Sequence, residues 1–304
     1  GLNADGAEII DATDLHVYPG FVEAHCHIGL DGYGIGYEGH DYNEMNDPVA
    51  PHLRAIDAIN PFDPCMRMAA EAGVTSFATG PGSANILGGT FAAIKPVGTC
   101  ADDMIVKNDV AMKCAFGENP KRCYQTKGIS SRMTSAANLR NALKKAALYK
   151  AKVEAAGDDV SKLPAYDEKS AALIPVLNKE MPLKAHAHQA NDILSFVRIA
   201  KELDVEMTLE HVTEGHMIVK ELVNAGYPLA VGPTFGHASK FELQNKTWET
   251  PGILAKAGCQ VSIVTDSPVV PQQHLPHCAG MAVAAGMDPF AALQAITINP
   301  AKHI

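Results

Sequence analysis

The chain contains an apolar run that ends in two histidines, Pro19-Gly20-Phe21-Val22-Glu23-Ala24-His25-Cys26-His27. Side chains at i and i+2 share one face of a β-strand, so His25 and His27 can aim both imidazoles at one metal ion. Alone, His-x-His is a weak pattern. Three later apolar segments end in groups of the same chemistry: His186 after Leu183-Lys184-Ala185, His211 after Thr208-Leu209-Glu210, and Asp266 after Ile263-Val264-Thr265. A satisfied core histidine accounts for any one of them, but not for several strand ends that all finish in ligating groups. Zn²⁺ is the default ion for such a set, and Fe²⁺ or Mn²⁺ also suit it. A metal of this kind lowers the pKa of water towards roughly 7 and polarises a carbonyl. A carboxylate such as Asp266 held beside that water is suited to act first as base and then as acid.

These residues meet only if their strands finish on the same side of one sheet. Segments at 20–28, 74–79, 90–97, 110–116, 183–186, 206–211, 228–232 and 260–266 read as eight strands, and helical segments alternate with them. In the second half Thr213 reads as an N-cap, Ile218, Leu222 and Ala225 as one helix face, and Gly226 as the stop. Asp288-Pro289 repeats the start signal. No Gly-rich phosphate loop follows the first strand, so a (β/α)₈ TIM barrel is expected in preference to a doubly wound sheet. Such a barrel builds its site at the C-terminal ends of its strands, where the long segments 29–60 and 117–134 fall.

The composition allows this and excludes other classes. With 304 residues the chain is long enough for one large barrel domain. Its 25 Lys+Arg against 34 Asp+Glu give a net charge of −9, without the basic footprint that nucleic-acid binding needs. No apolar run is long enough for a membrane span, and 1–14 lacks a signal-peptide pattern. Seven scattered cysteines do not form a disulfide framework. A cytoplasmic protein acting on a small molecule is the expectation, and self-association as a homo-oligomer is left open.

In order along the chain, Asp11-Ala12-Thr13, Pro19-Gly20-Phe21, His25-x-His27, His186, His211, Asp266 and Asn299-Pro300-Ala301 resemble the amidohydrolase superfamily. Within it they look most like the imidazolonepropionase-like metal-dependent hydrolases. The resemblance runs from about residue 8 to the end. It implies hydrolysis of a C–N bond in an amide, cyclic amide or peptide-like compound, with Asp266 catalytic and one or two metal ions bound. Residues 20–304 would form the barrel and 1–19 a lead-in with a remnant of the usual accessory β-sandwich, of which little or none is expected.

The resemblance leaves the fourth-strand ligand open between Glu118, preferred because it lies nearer the expected mouth, and a carboxylated Lys113 that would bridge two ions. It gives the ligand role to His186 and leaves His188 for the substrate. Arg132 and His237 follow strands four and seven and are candidate substrate contacts, as is Asn85 after strand two. Superfamily deaminases tend to carry a Glu shortly after the fifth-strand ligand, where this chain reads His186-Ala187-His188-Gln189. That favours amide hydrolysis over deamination of an amino-heterocycle. A non-catalytic scaffold of the same fold is the other alternative, and it would have no need of Asp266.

Overall fold

The structure, a computed structural model, describes residues 5–33 and 36–304. Eight strands form one sheet in chain order: β1 (Phe21–Cys26), β2 (Val74–Thr79), β3 (Leu87–Ile94), β4 (Ile105–Ala115), β5 (Leu183–Ala187), β6 (Met207–His211), β7 (Leu229–Val231) and β8 (Val261–Ile263). The sheet curls until β8 lies beside β1, and just past their ends the His27 N–H donates to the Ser267 carbonyl at 2.7 Å. The (β/α)₈-type barrel expected from the sequence is therefore present, with one correction. β3 runs antiparallel to both β2 and β4, while the other pairs are parallel. No helix separates β2 from β3, so the chain returns as a hairpin.

Helices cover the outer face by ordinary amphipathic spacing. In Ala190–Leu203 the buried residues Ile193, Phe196, Val197 and Ala200 recur at helical intervals, and Phe196 stacks on Phe116 at 3.8 Å. In the long helix Arg132–Ala156, Leu139, Leu143 and Ala146 join the same core as Leu183, Ala185 and Leu209 from the sheet. Asp288 caps Pro289–Gln294 by accepting from the Ala291 N–H at 2.8 Å, as expected. Thr213 is not an N-cap. The helix Val219–Ala225 starts later, after a 3₁₀ turn at Gly215–Met217, and ends at Gly226 with φ 73°.

The last helix, Ile298–His303, plugs the barrel floor. Asn299 Nδ2 donates to the Val261 carbonyl at the start of β8, and Ile304 packs on Ala24, Ala230 and Val264. Among residues 5–19 no strand forms and every residue is exposed. No helix among the described residues is long and apolar enough to cross a membrane. All seven cysteines are free, and buried Cys26 points its thiol at the Ala78 carbonyl.

Candidate metal centre

Strand alternation sends Glu23 and His25 of β1, Lys113 of β4, Lys184 and His186 of β5, and Glu210 of β6 into the barrel interior, all buried. By the same rule His211 should point outward with Met207 and Leu209. Positive φ angles at His211 (74°) and Val212 (46°) break the pleat and swing the imidazole to the mouth, 4.4 Å from the His186 ring and 5.0 Å from that of His25. Asp266 also sits at positive φ, 54°. Left-handed backbone at non-glycine residues is strained, and here it falls on two residues the sequence assigns to chemistry and on the neighbour of one.

Two trios of ligating side chains result, His25/His27/Asp266 and His186/His188/His211, and within each the ligand atoms lie within 4.8 Å of one another. Asp266 Oδ1 stands 3.4 Å from His25 Nε2 and 3.2 Å from His27 Nε2. Backbone carbonyls orient the rings: His27 Nδ1 donates to Gly80 and His211 Nδ1 to Gly232, both at 2.7 Å, which leaves each Nε2 free. Gly232 has no substitute, because a Cβ there would lie 2.1 Å from the Val264 carbonyl oxygen. Both ring nitrogens of His186 and Nε2 of His211 are buried without a hydrogen-bond partner. Imidazole nitrogens desolvated in this way, beside a carboxylate, are the donor set a divalent metal takes, so the residues present fit the expected ion.

The electrostatics agree with ligands in their metal-competent forms. Burial holds His25, His186, His188 and His211 below the ordinary imidazole range, with His211 down to about 4. Burial pushes Asp266 the other way, but His211, His27 and His25 outweigh it and keep the carboxylate ionised.

Lys113, and not Glu118, is the fourth-strand group that joins the histidines. Its Nζ is fully buried 3.2 Å from His25 Nε2, and burial lowers its pKa to about 8. Glu118 is occupied elsewhere: its Oε2 accepts the Glu242 N–H at 3.1 Å, while Glu242 Oε2 accepts the Glu118 N–H at 3.0 Å. The preference for the residue nearer the mouth fails because the chain turns at Gly117 (φ 93°) towards the loop after β7.

The reciprocal clasp exposes a site residue that the sequence reading misses. Glu242 is fully buried, and its Oε1 lies 3.9 Å from His186 Nε2, 3.7 Å from His188 Nε2 and 2.7 Å from Lys240 Nζ. Lys240-Phe241-Glu242 looks like any solvated loop, and no spacing rule marks it. His188 is brought into the second trio and hydrogen-bonds through Nδ1 to Thr213 Oγ1 at 2.7 Å. Arg132 starts its helix with Nε on both Asp192 oxygens (2.9 and 3.0 Å) and Nη2 on Gln189, the residue after His188. His237 is exposed, and Asn85 is buried and spends its amide on the carbonyls of Glu44 and Asp47, so neither joins the trios.

No family model matches the chain. The amidohydrolase tasK of Hapsidospora irregularis is 29% identical across 99% of this chain, which spans about a third of that curated relative's length (33%). The crystal structure of an amidohydrolase from Thermotoga maritima MSB8 superposes with a TM-score of 0.96 at 39% identity, covering 99% of this chain and 79% of the other. A shared barrel alone would not speak to descent, but this identity over nearly the whole chain does: the chain belongs to the amidohydrolase family.

Proposed function

We propose that the protein is a metal-dependent hydrolase of C–N bonds in small amides, cyclic amides or peptide-like compounds, of the imidazolonepropionase-like kind. The observation that carries the reading is the pair of buried trios at one barrel mouth, with Lys113 against the first. His25, His27 and Asp266 would hold one divalent ion and His186 and His211 a second, with His188 beside it. Zn²⁺ is the first candidate and Fe²⁺ or Mn²⁺ the next.

Lys113 would bridge the two as a carbamate. Its neutral amine adds to CO₂, forming an N–C bond and releasing one proton, and the group that results carries a negative charge suited to a cationic site. The lowered pKa of Lys113 raises the fraction of amine ready for that addition.

When bound, the metal supplies Lewis acidity to the scissile carbonyl and acidifies water. Asp266, held ionised among three imidazoles, accepts the proton of the attacking water and returns it to the leaving nitrogen. The carbonyls of Gly80 and Gly232 keep His27 and His211 aimed, so that the rings do not reorganise during turnover. Arg132, braced by Asp192 and Gln189, is half-exposed near the second trio and is the cation best placed for an anionic part of a substrate.

The test is a panel of amides, cyclic amides and dipeptides offered to protein stripped by a chelator and then reloaded in bicarbonate. Two ions per chain and turnover that disappears on stripping and returns with metal are expected. Turnover indifferent to chelation, or a protein that takes up no metal, would end the proposal.

A further inference from the structure

Glu210 is a fully buried carboxylate one layer beneath the trios. Its Oε2 lies 3.0 Å from His25 Nδ1 and 3.0 Å from Lys184 Nζ. Its Oε1 accepts from Thr208 Oγ1 at 2.7 Å and from His303 Nε2 at 2.9 Å. A buried carboxylate persists only when its charge is matched: Lys184 sets its countercharge against Oε2, and Thr208 and His303 donate to Oε1. Charge balance alone does not explain the location, because a buried ion pair contributes little that packed apolar residues of like volume would not.

The location makes sense through His25. With Nδ1 set against the Glu210 carboxylate, the ring presents Nε2 to the mouth, where Lys113 Nζ (3.2 Å) and Asp266 Oδ1 (3.4 Å) face it. His27 and His211 lie at or past the ends of their strands and take a backbone carbonyl as anchor. His25 lies within β1, where strand carbonyls serve the sheet, so its anchor must be a side chain. That side chain is itself held by groups from β5, β6 and the last helix.

We infer that Glu210 is a positioning residue for His25 and that His303, carried on the floor helix Ile298–His303, is the strut behind it, so that the barrel floor contributes to metal affinity at the mouth. The inference rests on the reading of His25 as a metal ligand. Removing a partner that orients a ligating histidine generally lowers metal affinity by about 10- to 100-fold.

The experiment loads the metal-free full chain with Co²⁺ and reads affinity by chelator competition and ligand geometry by the visible absorption band. Glu210→Leu with Lys184→Met removes acceptor and countercharge together and leaves no lone buried charge. It is expected to lose about 10- to 100-fold in affinity and to change the band; because Thr208 and His303 also lose their acceptor, the metal-free protein should melt lower but remain folded at the temperature of the assay. Glu210→Gln with Lys184→Met restores an acceptor oxygen and should recover most of the affinity and the wild-type band. His303→Leu should lose a few-fold.

Variants that match wild type in affinity and band overturn the inference. A His303→Leu variant that alone matches wild type removes the floor helix from it. If the Leu/Met pair does not fold, the Gln/Met pair and His303→Leu decide by the same readouts. A wild-type chain that takes up no Co²⁺ would instead bring down the metal-dependent reading, and this inference with it.

Discussion

The barrel interior holds two polar layers that are equally buried and differently satisfied. In the lower layer each carboxylate oxygen has a polar partner beside it: Glu23 Oε2 accepts from the N–H and Oγ1 of Thr265 at 3.0 and 2.7 Å, Glu210 Oε1 accepts from Thr208 and His303, and Glu210 Oε2 lies 3.0 Å from both His25 Nδ1 and Lys184 Nζ. In the upper layer both nitrogens of His186 and Nε2 of His211 have none, and the backbone at His211, Val212 and Asp266 is bent into the left-handed region. Leaving a desolvated donor or acceptor unmatched costs about 1–3 kcal/mol each, and strain of this kind costs about as much. Burial therefore does not separate function from architecture here. The layer that gives up hydrogen bonds and backbone comfort is the one whose groups serve something other than the fold.

The largest effects should come from breaking the upper layer. Asp266→Asn is nearly isosteric and keeps the histidines, so most of the metal should stay while turnover falls by at least about 10²- to 10⁴-fold, because one group is asked to move the proton twice. His186→Ala makes the contrast: with no hydrogen bond to lose, the folded state should keep its stability within about 1 kcal/mol beyond the packing loss, while metal and turnover go together. Metal analysis beside turnover on the best substrate of the panel separates the two. Turnover close to wild type in Asp266→Asn would show that the strained mouth is not where the proton moves.

Much of this centre is legible in the sequence, and the exceptions have physical causes. His25, His27, His186, His211 and Asp266 stand out because each lies at or near the end of an apolar strand segment, a local property of the chain, and all eight expected strands exist. The direction of β3 was not legible, since a hairpin and a short crossover leave similar apolar runs. Its observed span, Leu87–Ile94, also begins three residues before the expected segment. Glu242 was invisible because its burial depends on a contact 124 residues away, with Glu118. The same contact explains why Glu118 looked like a ligand. It has the right residue type at the right end of the right strand, and only the turn at Gly117 reveals that it faces Glu242. At Gly117 a Cβ would lie 2.4 Å from Glu242 Oε2, which ties the glycine to the clasp.

A smaller effect sharpens that point. Glu118→Gln keeps an acceptor for the Glu242 N–H but makes it neutral, so it should lower stability by about 1 kcal/mol and turnover by less than about tenfold, with two ions still bound. Thermal melting and metal stoichiometry measure it. Loss of one ion would return Glu118 to the ligand set and place an architectural residue in the upper layer.

The smallest effect is expected at His237, where the comparison reaches the rim. Its residue type and its place after β7 suit a substrate contact, yet it is exposed, and the bond it makes is through its carbonyl, which accepts Lys246 Nζ at 3.1 Å. The same Nζ donates to the Phe235 carbonyl at 3.1 Å, so one lysine pins the loop that follows Gly232. Removing an exposed imidazole should change stability by no more than about 0.5 kcal/mol. His237→Ala should accordingly leave turnover within about twofold of wild type. Lys246→Met removes both pins without touching a site residue, and the loop that follows the His211 anchor then gains freedom. That variant should raise KM several-fold while kcat and metal content hold, because ordering the loop becomes a cost of binding substrate. A His237→Ala variant that raises KM more than Lys246→Met would assign the imidazole to the substrate and extend the functional layer to the rim.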